Sequence, residues 1–166
     1  MRVLGIDPGT ATTGYGVVEE TEEGLQALAY GVVTTPPDLP LPRRLQTIYR
    51  ELRRLAREWQ PDAAAMEELY FNVNVRTAMS VGQARGVALL AMVDEGLNVA
   101  EYGPGEVKQA LTGYGGAEKR QMQEMVRMLL NLPAVPHPDD AADALAVALC
   151  HLHSARLRAL TADPRP

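Results

Sequence analysis

Three apolar, strand-like runs follow one another at the start of this chain, after which helix and strand alternate, and few architectures accept that order. Arg2 to Asp7 is a short apolar run ending in a Pro8-Gly9-Thr10 turn, the pattern of a buried strand. Gly14-Tyr15-Gly16-Val17-Val18 continues as a second strand, Glu22-Glu23-Gly24 is a turn signal, and Leu25 to Thr34 reads as a third strand. Three strands with so little chain between them predict an antiparallel meander. Pro36, Pro37, Pro40 and Pro42 then mark a loop. Beyond it Leu45, Ile48, Leu52, Leu55 and Trp59 recur at helical spacing, with arginines on the other face, until Pro61 stops the helix. Residues 62–67 predict a fourth strand, 75–93 a long helix and 98–102 a fifth strand. Three further helices are expected over 104–112, 118–130 and 138–158. The result is an α/β layer: a mixed five-stranded sheet flanked by helices.

A length of 166 residues suits one compact domain. We place it at 1–158, with 159–166 as a short, flexible C-terminal tail. Hydrophobic residues make up 46% of the chain, enough to exclude disorder as the default state. The single cysteine, Cys150, has no partner for an internal disulfide, and its apolar neighbours Leu145 to Leu149 predict a buried, inert thiol. Asp7 arrives before a secretory h-region could form. The longest apolar run, Val87 to Val93, is too short to span a bilayer. A cytoplasmic protein without membrane contact is therefore expected. Net charge is −5, which argues against a nucleic-acid partner until the acids are placed. Four carboxylates holding two divalent cations would leave −5 + 4 = −1.

Several acids stand where a metal could be held. Asp7 leaves the carboxyl end of the first strand, the edge at which α/β sheets collect ligands; it is also explained as a turn-initiating aspartate before Pro-Gly. Glu67 and Glu68 end the fourth strand, and alternation allows only one of them to share a face with Asp7. Asp139, Asp140 and Asp143 open the last helix. Asp139 is accounted for by helix capping and the helix dipole, and the same explanation fits Asp140 moderately well. Asp143 resists it, lying a turn further in among Ala141, Ala142, Ala144 and Leu145, where a bare charge is costly. Asp140 and Asp143 are three residues apart and project from one face. Carboxylates converging from strands and helix suit hard Mg²⁺, and two such ions about 4 Å apart can activate water and stabilise the leaving oxygen of a phosphodiester. His151 and His153, two apart on a helix, cannot share a face, so no zinc site is expected from them.

Tyr70 and Phe71, the latter the sole phenylalanine, follow the fourth strand closely. They are either a core plug or a pair of aromatics able to stack on or wedge between unpaired bases. Only two lysines, Lys108 and Lys119, stand among fourteen arginines, and both are reasonable phosphate contacts. Arg76 and Arg85 are further candidates. The arginines at 43, 44, 50, 53, 54 and 57 read as a solvated helix face. Ala78, Gly82 and Gly86, four residues apart, permit close helix approach, either inside the molecule or against a second copy.

At this point the sequence resembles the RuvC family. The matching stretches are Gly5-Ile6-Asp7-Pro8-Gly9 with Gly14-Tyr15-Gly16, Met66-Glu67 and Gly82-Gln83-Ala84-Arg85-Gly86. Val107-Lys108-Gln109, Gly116-Ala117-Glu118-Lys119 and Asp140-Ala141-Ala142-Asp143-Ala144-Leu145-Ala146 follow in order. The resemblance implies a ribonuclease H-like fold and assigns Asp7, Glu67, Asp140 and Asp143 as the metal-binding catalytic set. It implies two Mg²⁺ ions per site, with Mn²⁺ as a substitute, and a homodimer that nicks two like-polarity strands of a Holliday junction. It favours a dimer seam at the small residues and junction contacts at Tyr70, Phe71, Lys108 and Lys119. It also implies the RuvA–RuvB branch-migration complex as a partner. Two other readings compete: a ribonuclease H-like enzyme acting on RNA, as in the YqgF group, and a catalytically silent junction-binding module.

Overall fold

A computed structural model of the chain describes residues 1–68 and 75–161, the side chains of residues 75–77 excepted. Strands β1 (Arg2–Asp7), β2 (Thr12–Thr21) and β3 (Gly24–Thr34) form the expected antiparallel meander. β4 (Ala63–Glu67) pairs in parallel with β1, and β5 (Val99–Tyr102) in parallel with β4, so the sheet order is β3-β2-β1-β4-β5. The helices are α1 (Leu41–Trp59), α2 (Val75–Asp94), α3 (Pro104–Thr112), α4 (Lys119–Leu129) and α5 (Asp139–Thr161). Among the described residues, no helix is long and apolar enough to cross a membrane.

Three elements differ from expectation by more than one residue. β2 extends beyond 14–18 at both ends because its polar outer residues, Thr12 and Glu19 to Thr21, still pair with β3 through the backbone. α1 begins at Leu41, which puts Pro42 in its first turn rather than in the loop. Proline is tolerated there because the amide it lacks would have no helical partner. α5 runs on to Thr161, into the stretch expected as a tail.

Side chains alternate across each strand, and the two faces pack on different helices. Val3 and Ala65 face α3, α4 and α5, whereas Leu4, Ile6, Ala64 and Met66 face α1 and α2. Continuing the same parity carries Asp7 and Glu67 to the α5 side. On the opposite face α1 buries Ile48, Leu52 and Leu55, while Arg53 and Arg57 pair with Glu95 just past α2. Cys150 is buried, and that burial pushes its thiol up to about 11. His151 Nδ1 is hydrogen-bonded to the Tyr102 hydroxyl at 2.9 Å, and His153 donates to Ala110 O at 3.1 Å. Both histidines are satisfied within the protein.

α5 lies against the sheet almost without spacing. A Cβ at Gly5 would stand 1.9 Å from Ala144 O, and one at Gly14 2.0 Å from Asp140 O. Gly5 and Gly14 belong to neighbouring strands on the α5 side, where Ala141, Ala142, Ala144 and Ala148 are fully or nearly fully buried. Small residues on both surfaces thus bring the first turns of α5 down onto the ends of β1 and β2. This packing positions the acids.

Candidate active site

Asp7 and Glu67 end adjacent parallel strands, and Asp140 and Asp143 descend on them from α5. All four are half-buried, whereas Asp139 is exposed. Asp139 instead accepts a hydrogen bond from Gln123 Nε2 at 3.0 Å and pairs with Lys119 Nζ at 3.0 Å. Lys119 holds its carboxyl below the usual range. Glu68 lies beyond the strand, its backbone N–H donating to Tyr102 O at 2.8 Å.

Burial pushes the Asp7 carboxyl up to about 7, helped by the charges of Asp143, Asp140 and Glu67 and opposed by Lys119. Burial likewise raises Glu67, with Asp143 adding to the shift and Lys108 opposing it. Asp143 is raised mainly by burial, against the pull of Lys119 at 3.4 Å. Among the described residues, no three carboxylate, histidine or cysteine side chains are placed to hold a metal ion as they stand. The acids are joined by mutual repulsion across a half-buried pocket, an arrangement that a divalent cation relieves.

The sign of the consequence is fixed by these shifts. Folded Asp7 keeps its proton up to about 7 while the unfolded chain releases it near 3.8. Between those values the folded state holds more protons, so stability is lost as pH rises. In chelator, Tm is therefore expected to fall from about pH 4.5 to about pH 7, with divalent cation restoring it most strongly at the upper end. A Tm that climbs steadily over this range without metal would contradict the coupling.

A cavity of about 220 Å³ beside the acids is lined by Glu67, Lys108, Lys119 and Asp143. Both lysines expected as phosphate contacts therefore border the site. Lys119 is also ion-paired there, with its side chain 56% exposed. Arg85, expected at phosphate, lines a cavity of about 190 Å³ with Asp7 and Glu67 and has partners within the protein. Its Nη1 donates to Glu67 O at 2.7 Å, its Nη2 pairs with Glu101, and its side chain is only 13% exposed. Tyr70 and Phe71 lie outside the described residues, as does the side chain of Arg76.

The turn after Asp7 is tied on several sides. Thr13 Oγ1 donates to Gly9 O at 2.7 Å, Thr35 Oγ1 to Thr10 O at 2.6 Å, and Thr10 Oγ1 to Ser80 O at 2.8 Å. Thr10, Thr13 and Thr35 are all buried. Arg44 joins this hub, its Nε donating to Thr35 Oγ1 at 2.8 Å. Our reading of the arginine row as one solvated face needs correction for it. The available signal was position: a cation in a helix's first turn opposes the dipole.

The family model for Crossover junction endodeoxyribonuclease RuvC matches residues 3–151. The Crossover junction endodeoxyribonuclease RuvC of Chloroflexus aggregans is 59% identical over 155 residues, covering 93% of this chain and 94% of its own. The Thermus thermophilus RuvC structure superposes with a TM-score of 0.88 at 39% identity, over 95% of this chain and 96% of that one. T. thermophilus RuvC in complex with Holliday junction substrate gives 0.87 at 37% identity, with the same coverage. The yeast mitochondrial Holliday junction resolvase, 15% identical with a TM-score of 0.68 over 95% of this chain and 82% of that one, shares the fold. The fold is that of the ribonuclease H-like class. Within that class, the chain belongs to the RuvC family of crossover junction endodeoxyribonucleases.

Proposed function

We propose that this protein resolves Holliday junctions during homologous recombination and DNA repair, by hydrolysing phosphodiester bonds in two strands of like polarity. The observation that carries the reading is the descent of α5 onto the glycines of β1 and β2, which couples Asp140 and Asp143 electrostatically to Asp7. The donor set is entirely carboxylate, which fits a hard divalent cation. Asp7, Glu67, Asp140 and Asp143 would hold two Mg²⁺ ions, or Mn²⁺ in their place. When bound, the ions supply an activated water and stabilisation of the leaving oxygen. Lys108 and Lys119 border the cavity where a phosphate would enter, and Tyr70 and Phe71 would meet unpaired bases at the junction centre. Arg85, in the wall of a cavity it shares with Asp7 and Glu67, holds the Glu67 carbonyl and with it the end of β4.

That role for Arg85 sets an expected result. Arg85→Ala loosens Glu67, and misplacing a catalytic group by about 1 Å costs roughly 100-fold. Turnover is expected to fall steeply with junction affinity nearly intact. Weaker, salt-dependent binding at normal turnover would return Arg85 to phosphate contact.

A two-fold substrate suits a two-fold dimer. On α2, Met79, Leu90 and Val93 are exposed at 64, 54 and 63%. Among the described residues, an added Cβ at Gly82 or Gly86 on the same helix would meet nothing within 4 Å. Two mid-helix glycines each cost about 0.5–1 kcal/mol, and among the described residues no close neighbour requires them. The surface is read as the dimer seam, and Leu90→Glu is expected to yield a folded monomer by light scattering. A dimer unchanged by Leu90→Glu would place the seam elsewhere.

The function is tested by offering one protein sample a four-way junction, matched duplex and RNA-containing substrates, with Mg²⁺ or chelator. Metal-dependent nicking confined to the junction is expected. Preference for RNA would support the YqgF-like reading, and tight junction binding without cleavage a silent module.

A further inference from the structure

A second, open groove of about 580 Å³ adjoins the acids and shares no lining residue with the Lys108–Lys119 cavity. Its wall includes Thr10, Thr12, Ser80, Asp140 and Arg44. The Arg44 guanidinium is fixed from behind, through Thr35 and then Thr10 to Ser80. Among the described residues no carboxylate pairs with it, although Asp140 lines the same groove. Of the other arginines of α1, Arg53 and Arg57 pair with Glu95 and Arg54 with Glu51 and Glu58, while Arg43 donates to Gln46. Among the described residues Arg43 and Arg50 also lack a carboxylate, so what sets Arg44 apart is its anchoring by Thr35 in the wall beside Asp140. Nor does local energetics explain Arg44. It sits in a first turn that contains no acid, the end of a helix where cations are disfavoured. Departures from local preference mark functional positions.

A guanidinium anchored through Nε keeps both Nη groups for a ligand, and their planar fork matches the oxygens of a phosphate. We propose that Arg44 forms a second phosphate subsite, holding the DNA backbone on the Asp140 side of the cleaved bond. Together with Lys108 and Lys119 it would grip the strand on two flanks of the acids. This inference rests on the nuclease reading of those acids.

The test is a coupling measurement. Four-way junctions carrying one neutral methylphosphonate at successive positions around the nick are bound in chelator by wild type and by Arg44→Gln, which keeps a donor for Thr35. One position is expected to weaken wild-type binding about tenfold or more. Arg44→Gln should bind the unmodified junction more weakly and be insensitive to the modification at that position. Its salt dependence should be shallower by about 0.9 in log–log slope for each phosphate it no longer neutralises. Identical methylphosphonate profiles and equal slopes would overturn the subsite. Tm checks folding, and Arg44→Lys, which keeps the charge but lacks the fork, repeats the comparison should Arg44→Gln unfold. Failure of wild type to bind any junction is a different result, and overturns the nuclease reading itself.

Discussion

Asp7→Asn is expected to abolish junction cleavage, by about a thousandfold or more, the upper scale for removing one preorganised charge-stabilising group. Junction affinity should be nearly unchanged, because the substitution is isosteric and removes a negative charge from among Asp143, Asp140 and Glu67 rather than a cation proposed to meet phosphate. A second readout separates this role from damage to the fold. Asp7 is raised to about 7 by burial and by Asp143, Asp140 and Glu67, so its charged form destabilises the metal-free protein above that pH. A neutral asparagine removes the repulsion. In chelator at about pH 8 the variant is therefore expected to melt higher than wild type, and to gain less from added Mg²⁺. A variant that cleaves normally, or that melts lower in chelator and binds the junction poorly, would contradict this placement of Asp7.

Gly14→Ala is expected to be nearly as damaging, although glycine carries no chemistry. The new Cβ would stand 2.0 Å from Asp140 O and 2.4 Å from Asp140 C, backbone atoms that cannot rotate away. Either β2 or the start of α5 must move, and overpacking of this kind costs about 1–3 kcal/mol. The shift falls on the turn that carries Asp140 and Asp143, so cleavage should drop by roughly 100-fold for each ångström of displacement. Gly105→Ala is the matched control, since among the described residues nothing lies within 4 Å of its added Cβ. It should be neutral or stabilising by about 0.4–1 kcal/mol. Equal behaviour of the two variants would show that the close approach of α5 to β2 is not what sets the site.

The central strands of this fold could be read directly because they are buried on both faces, so that β1 and β4 stand out as short unbroken apolar runs. Which of Glu67 and Glu68 shares a face with Asp7 was left open by the residues and assigned by the resemblance; in the structure Val3 and Ala65 lie on the α5 side, and strand parity carries Glu67 there. Where pairing rests on the backbone alone, as at the polar ends of β2, hydropathy gives no signal and the strand reads short. Asp143 was conspicuous as an acid on an alanine surface. The reason that surface is alanine, its packing against Gly5 and Gly14, depends on long-range structure that a linear reading does not contain. Arg85 and Arg44 show the same limit. A cation's type and spacing do not reveal that one donates to Glu67 O while another is anchored through Thr35. Those roles are set by neighbours far along the chain.

Four acids, assembled by α5 on the sheet, are central to reading this protein as a metal-dependent junction resolvase. The most direct test is to label each strand of a synthetic four-way junction in turn and map the nicks made by wild type with Mg²⁺. Paired, symmetric nicks in two strands of like polarity are expected, absent in chelator and absent with Asp7→Asn. Nicks scattered over all four strands or over duplex arms, or cleavage that survives chelation, would contradict that reading.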